Sequence, residues 1–272
     1  MTFTVTDLDR SIAFYQDDLG LRVHERGDAD AMLGDGELDL LALIEEPEAR
    51  PAGRHAGLYH VALLFGEREE LARAAQRLAV RRTTVHGASD HGVSEAIYLA
   101  DPDGNGLELY ADRPRADWPR GPRGELEMYT LPLDVEALLG LVADDEPVPH
   151  AHGLRIGHVH LHVGDLPRAL AFYRDVLGFE PTATMPSAAF LSAGGYHHHV
   201  GLNTWRGEGV APMPGPTEVV GLRRWTIRLD EPDDVAGVRA RINGAGVDHA
   251  ERDDGMLVLD PWDIPLLIAA EV

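Results

Sequence analysis

An α+β fold of four strand–helix–strand–strand–strand (βαβββ) modules is what the internal repetition of this chain predicts. The run D-L-D-R-S-I-A-F-Y-Q-D-D-L-G-L, from Asp7, recurs as D-L-P-R-A-L-A-F-Y-R-D-V-L-G-F, from Asp165. A fainter pair, G-L-Y-H-V-A-L-L-F from Gly57 and G-L-R-R-W-T-I-R-L from Gly221, marks two further modules. The third observation is composition. With 272 residues, 44% hydrophobic and 26% charged, the chain has enough apolar matter for packed cores. A module this small cannot bury its sheet alone, so the repeats must share a core.

The first module spans 1–50. Its helix carries the Phe14–Tyr15 pair and is expected to end at Gly20. The second spans 56–112: the strand from Gly57, a helical stretch R-E-E-L-A-R-A-A-Q-R-L-A, the strand A-I-Y-L-A, the turn D-P-D-G-N-G and the returning strand L-E-L-Y. Residues 113–154, rich in Pro, Arg and acidic residues, read as a linker with a helical patch around Val135–Leu141. The third module, 155–206, opens on G-H-V-H-L-H-V, repeats the helix with Phe172–Tyr173, and ends its helix at Gly178. The fourth, 219–272, has the helical stretch P-D-D-V-A-G-V-R-A-R-I-N-G and a second D-P hairpin. The domain reading is thus an N-terminal module pair over 1–112 and a C-terminal pair over 155–272.

Several function classes are excluded. A formal charge of −22 argues against nucleic acid, whose phosphates need clustered cations. There is no cysteine, so disulfides, thiolate nucleophiles and Cys-held metals are ruled out. All 24 basic residues are arginine, which removes lysine Schiff-base chemistry. No apolar run reaches the roughly 20 residues that span a bilayer. The N-terminus, M-T-F-T-V-T-D-L-D-R, lacks a signal-peptide pattern, and a soluble cytoplasmic protein is expected. The chain starts abruptly inside its first strand, which places the expected true start upstream of Met1.

The stretch from His91 to Glu108 concentrates chemistry-bearing residues around one hairpin. Tyr98 and Glu108 fall on adjacent antiparallel strands, where inward side chains converge on one small ligand. The motif resembles the closing segment of extradiol ring-cleavage dioxygenases of the vicinal oxygen chelate superfamily. That resemblance implies paired sheets of βαβββ modules curled as two curved mixed-sheet barrels around a metal cleft. The runs G-E-L-E-M-Y-T-L-P-L-D and G-G-Y-H-H-H-V-G-L-N-T-W look like the small two-domain catechol 2,3-dioxygenases. In such proteins the glutamate ligates a divalent metal, and a histidine and tyrosine, here His91 and Tyr98, lie in the substrate pocket.

The same resemblance puts metal ligands on the first and last strands of the modules. Aligning those strands gives His60 and Glu108 in module 2 and His158 in module 3, with His160 as the second choice. Module 4 offers Arg224 and Leu267 there, and the module 1 position falls before Met1. A complete 2-His-1-carboxylate set therefore requires module 2 to pair with module 3, and module 1 with module 4. Three protein ligands leave positions open for substrate and dioxygen. The resemblance further implies an acid–base histidine from H-H-V-G-L: His198, or His199 if the strand carries a bulge. Alternating side chains would set His197 and His199 opposite His198.

The implied activity is insertion of both atoms of O2 into a catechol-type diol to give a muconic semialdehyde. Fe(II) is the implied metal, with Mn(II) sharing the same ligand preferences. The expected partners are a small aromatic diol and O2, with no nucleic acid and no membrane. A homo-oligomer is the expected assembly, in which exchanged modules would also form the site. Two other readings keep the fold: a metal-dependent glyoxalase-type lyase or epimerase, and a non-catalytic small-molecule binder. Trp205 and Trp225 are candidates for pocket walls.

Overall fold

The computed structural model describes residues 1–145 and 148–271. Each module delivers its elements in the expected order. Module 1 contains β1 (Thr2–Val5), α1 (Leu8–Asp17), β2 (Arg22–Arg26), β3 (Asp30–Gly34) and β4 (Asp39–Glu45). Module 2 contains β5 (Gly57–Phe65), α2 (Arg68–Arg81), β6 (Val85–Asp90), β7 (Ser94–Ala100) and β8 (Gly106–Asp112). The connecting stretch adds β9 (Leu131–Pro132) and α3 (Val135–Gly140). Module 3 contains β10 (Arg155–His162), α4 (Leu166–Leu170) continued by a π-helical turn through Val176, β11 (Glu180–Met185), β12 (Ala188–Ser192) and β13 (Val200–Asn203). Module 4 contains β14 (Gly221–Leu229), α5 (Pro232–Gly244), β15 (His249–Arg252), β16 (Gly255–Leu259) and β17 (Pro265–Ala270).

In every module the first strand lies parallel to the last. Modules then join first strand to first strand, antiparallel: β1 to β14, and β5 to β10. Two mixed sheets result, one of eight strands from modules 1 and 4, one of nine from modules 2 and 3 together with β9 of the connecting stretch. This is the pairing inferred from the distribution of ligand residues. It sets β5, β8 and β10 side by side at the centre of the nine-stranded sheet.

The repeated helix motif has a physical purpose. Asp7 and Asp165 are N-caps, accepting the backbone N–H of Arg10 and Arg168 at 2.9 and 2.7 Å. Gly20 and Gly178 take φ of 82° and 96°, as helix-ending glycines do. The tyrosine of each Phe–Tyr pair is fully buried and reaches into the next module. Tyr15 donates to Asp101 Oδ2 at 2.9 Å, and Tyr173 donates to Asp260 Oδ2 at 3.0 Å. Each of these aspartates begins a D-P turn and also accepts backbone N–H groups, those of Asp103 and Asn105 or of Trp262 and Ile264. The repeat therefore records a helix-to-turn latch between modules 1 and 2 and between modules 3 and 4.

The second latch makes a pH prediction. Burial, outweighing its hydrogen bonds, pushes Asp260 up to about 6. A carboxyl whose folded pKa is raised favours folding in its protonated form. That contribution is full below the ordinary aspartate pKa and is lost as pH rises through about 6. Asp260→Asn is expected to gain on the native protein by on the order of 2 kcal/mol as pH rises from 4.5 to 7. Parallel urea titrations at the two pH values check this, and a pH-independent difference would refute it.

The stretch after module 2 is packed, not a free tether. β9 pairs antiparallel with β6, Trp118 is buried against Val93 and Tyr196, and Leu138 of α3 is buried in the main core. Among the described residues no helix is long and apolar enough to cross a membrane.

Candidate metal centre

The sheet brings three predicted ligands together within one chain. Glu108 sits on β8, His60 on β5 and His158 on β10, and all three are buried. Glu108 Oε2 lies 3.0 Å from His60 Nε2 and 3.1 Å from His158 Nε2, and the two nitrogens are 3.3 Å apart. Ligands about 2.1 Å from one ion at neighbouring octahedral positions stand about 3.0 Å apart, so this triangle suits one face of a small divalent cation. The donor set, two imidazoles and one carboxylate, suits iron, manganese or zinc.

The electrostatics prepare these donors. Burial pushes His158 down to about 4, against the pull of the Glu108 carboxylate. Burial disfavours the Glu108 anion too, but its contacts with His158 and His60 outweigh that and hold it well below the usual carboxylate range. At neutral pH His158 is thus a free base and Glu108 a carboxylate, the forms a metal requires. Packing orients His158: its ring centroid is 4.1 Å from His198 and 5.0 Å from Tyr110, while its buried Nδ1 has no hydrogen-bond partner. Gly157 makes this possible, because a Cβ there would collide with the Tyr110 hydroxyl.

His160, the alternative ligand, has another task. The backbone N–H of Trp205 donates to Asn203 Oδ1, which fixes the amide's orientation. Asn203 Nδ2 then donates to His160 Nε2 at 3.0 Å, and Asn203 Oδ1 accepts from His162 Nδ1 at 2.7 Å. The His160 Nε2 lone pair is occupied by that bond. The repeat also reveals a vacant ligand position. Ala62 pairs with Glu108 on β8, and its module 3 counterpart, His160, pairs with Gly201 on β13. The residue equivalent to Glu108 is thus a glycine, and a Cβ there would lie 2.7 Å from the His160 ring.

The remaining predicted residues flank the triangle. Tyr98 lies directly across from Glu108 on β7. Its hydroxyl is 2.7 Å from His91 Nε2, and His91 Nδ1 is 2.9 Å from the Tyr129 carbonyl. A carbonyl only accepts, so His91 carries its proton on Nδ1 and receives the Tyr98 hydroxyl at Nε2. Burial, reinforced by the Glu108 carboxylate, raises the Tyr98 pKa and keeps the phenol protonated.

The three adjacent histidines correct one expectation. β13 begins at Val200, so His197–His199 lie in the connection that precedes it, and strand alternation does not orient them. His198 stacks on His158 and on Phe190 at 5.0 Å, facing the triangle. His199 packs on Tyr196 and Phe179 and receives the Ala193 N–H at Nδ1. His197, wholly buried, bridges His198 Nδ1 at 2.9 Å and Asp112 Oδ1 at 2.8 Å. Burial, then the neighbouring His158 and His197, hold His198 well below the ordinary histidine range, so it is neutral. Asp112 accepts from His197 Nε2–H. In the tautomer this bond fixes, His197 Nδ1 accepts from His198 Nδ1–H, which leaves His198 Nε2 as an acceptor.

Sequence reasoning missed Asp112, Asn203 and Tyr59. A polar residue at a strand end beside a His cluster was the available signal for the first two. Tyr59 joins His60 in the cleft because β5 is irregular against β10 at this point, and no sequence pattern marks such a bulge. Its ring lies 4.9 Å from His60, 5.0 Å from His160 and 5.2 Å from Trp205. Trp205 is half exposed at the cleft, whereas Trp225 is buried near Tyr173 in the other sheet and lines no part of it.

Comparison with known proteins fits this geometry. The family model described as Glyoxalase/Bleomycin resistance protein/Dioxygenase superfamily matches residues 1–109 and 155–254. The chain is 43% identical over 263 residues to a catechol-2,3-dioxygenase of Bacillus subtilis (strain 168), covering 95% of this chain and 91% of the relative. Among solved structures, a putative dioxygenase from Bacillus subtilis superposes with TM-score 0.64 at 15% identity, over 99% of this chain and 83% of the other. Glyoxalase I from Zea mays gives 0.59 at 16% identity, over 99% and 90%. The two structures share the fold, and the family match covers both halves of the repeat. The chain belongs to the glyoxalase/bleomycin resistance protein/dioxygenase superfamily.

Proposed function

We propose that this protein is an extradiol ring-cleavage dioxygenase, using Fe(II) held by His60, Glu108 and His158 to open a catechol-type diol with O2. The observation that carries the reading is the convergence, among the described residues, of three buried donors, with glycine at Gly201 where the repeat would supply a second carboxylate. A lyase or epimerase of this fold would use a carboxylate base there, and a non-catalytic binder would need no such triangle. The 43% identity to a catechol-2,3-dioxygenase supports the same choice.

A divalent metal held by His60, Glu108 and His158 would supply Lewis acidity toward the diol and activate dioxygen. The chain's own residues do the rest. His198 Nε2, unprotonated and neutral, accepts a proton from the bound diol and returns it later in the reaction. Asp112 and His197 hold that tautomer. Tyr98 and His91 border the diol on the opposite side, where the phenol, turning its O–H away from His91 Nε2, donates to a substrate oxygen. Phe190, His160 and Tyr59 pack around the cleft and limit water.

The test is anaerobic loading with Fe(II), addition of catechol and admission of air. A yellow semialdehyde formed with equimolar oxygen uptake is the expected result, and bound metal without either would refute the reading. Tyr98→Phe is expected to lower kcat/KM about 10–100-fold, the worth of one hydrogen bond to a charged oxygen, with metal content unchanged. Steady-state oxygen uptake and metal analysis of that variant check it.

A further inference from the structure

A cavity of about 290 Å³ lies at one end of the cleft, outside the metal triangle. Its walls include Arg206, His162, His55, His86 and Tyr59 and, among the described residues, no aspartate or glutamate. In a chain with 46 acidic residues that absence is informative. Arg206 is half-buried and has no carboxylate within salt-bridge distance among the described residues; Nη1 donates only to the His55 carbonyl, at 3.0 Å. Desolvation lowers its pKa with no acid opposing the shift, yet a guanidinium stays charged. The cavity therefore holds a partly desolvated cation whose remaining donors lack a partner. His162 is neutral, held at about 4 by burial and by Arg206, with Nδ1 committed to Asn203.

The cavity adjoins the metal triangle. Tyr59 is shared by both, its ring 4.9 Å from His60 and 5.1 Å from His162. Gly106, another wall residue, is the strand partner of His60. We propose that this cavity is a subsite for an anionic substituent, and that the substrate is an aromatic diol bearing a carboxylate on a short side chain. With Nη1 on the His55 carbonyl, the remaining Nε–Nη2 edge of Arg206 can take a planar carboxylate as a bidentate partner. The proposal deepens the dioxygenase reading and rests on it for the diol part alone.

The probes are 3-(3,4-dihydroxyphenyl)propanoate and its neutral counterpart 4-butylcatechol for turnover, and 3-phenylpropanoate for calorimetric binding to metal-free protein. The native enzyme is expected to prefer the acid at least tenfold in kcat/KM. Arg206→Met should erase most of that ratio, and Arg206→Lys, which keeps the charge, should restore part of it. Because each ratio is internal to one variant, a general loss of folding does not imitate the result. A native enzyme that cleaves both diols equally, or an Arg206→Met ratio within twofold of native, would overturn the subsite and leave the dioxygenase standing. Cleavage of neither diol, with 3-phenylpropanoate bound to the native protein and lost in Arg206→Met, would fell the dioxygenase reading and uphold the anion site.

Discussion

Replacing Glu108 with alanine is expected to abolish metal binding and ring cleavage together, with at least about a 10³-fold loss of turnover. Partners that merely orient metal ligands typically cost 10–100-fold when removed, and Glu108 is itself a proposed ligand. It is also the only anion of the triangle, so its loss leaves two neutral imidazoles facing a divalent cation. Gly201 offers no substitute, and His160 is held by Asn203. Glu108→Gln sharpens the test. The amide preserves shape and an acceptor oxygen but removes the charge, so it too should lose the metal. The variants are measured for metal per chain by elemental analysis, for oxygen uptake with catechol, and for folding by circular dichroism. A folded alanine variant that keeps one equivalent of metal would rule out the assignment.

The parts of this site that the sequence disclosed are those repetition encodes. Aligning the first strands of the modules puts His60 and His158 at equivalent positions, and the sheet brings their Nε2 atoms within 3.3 Å. The same alignment exposes Arg224 and Leu267 in module 4, so the empty pair was legible too. What repetition cannot encode is where modules differ. The bulge that turns Tyr59 into the cleft and the irregular backbone of His197–His199 break the period-two pattern on which strand reasoning depends. Asp112 and His197 meet across 85 residues of sequence, a contact created only when β8 and the β12–β13 connection come together. The latches of Tyr15 and Tyr173 lie between: the motif was visible, but its partner aspartates were not.

Substituting His198 with phenylalanine is expected to lower kcat by 10²–10⁴-fold, the usual worth of a positioned acid–base group, while leaving metal content intact. Phenylalanine keeps a flat ring against His158 and Phe190, so the packing that orients the ligand survives. It removes the Nε2 acceptor of His198 and the Nδ1 that meets His197. His197 then loses one of its two partners while remaining bonded to Asp112. A purely structural His198 would show a different pattern, with metal affinity falling in step with kcat because His158 had moved. The two cases separate by titrating metal-free variant with Fe(II) and by comparing kcat with KM. His197→Phe supplies the second arm: it leaves His198 in place but frees its tautomer, so activity should fall less than in the His198 variant. Activity lost to a greater degree at His197 than at His198 would reassign the proton-transfer role within this chain of three groups.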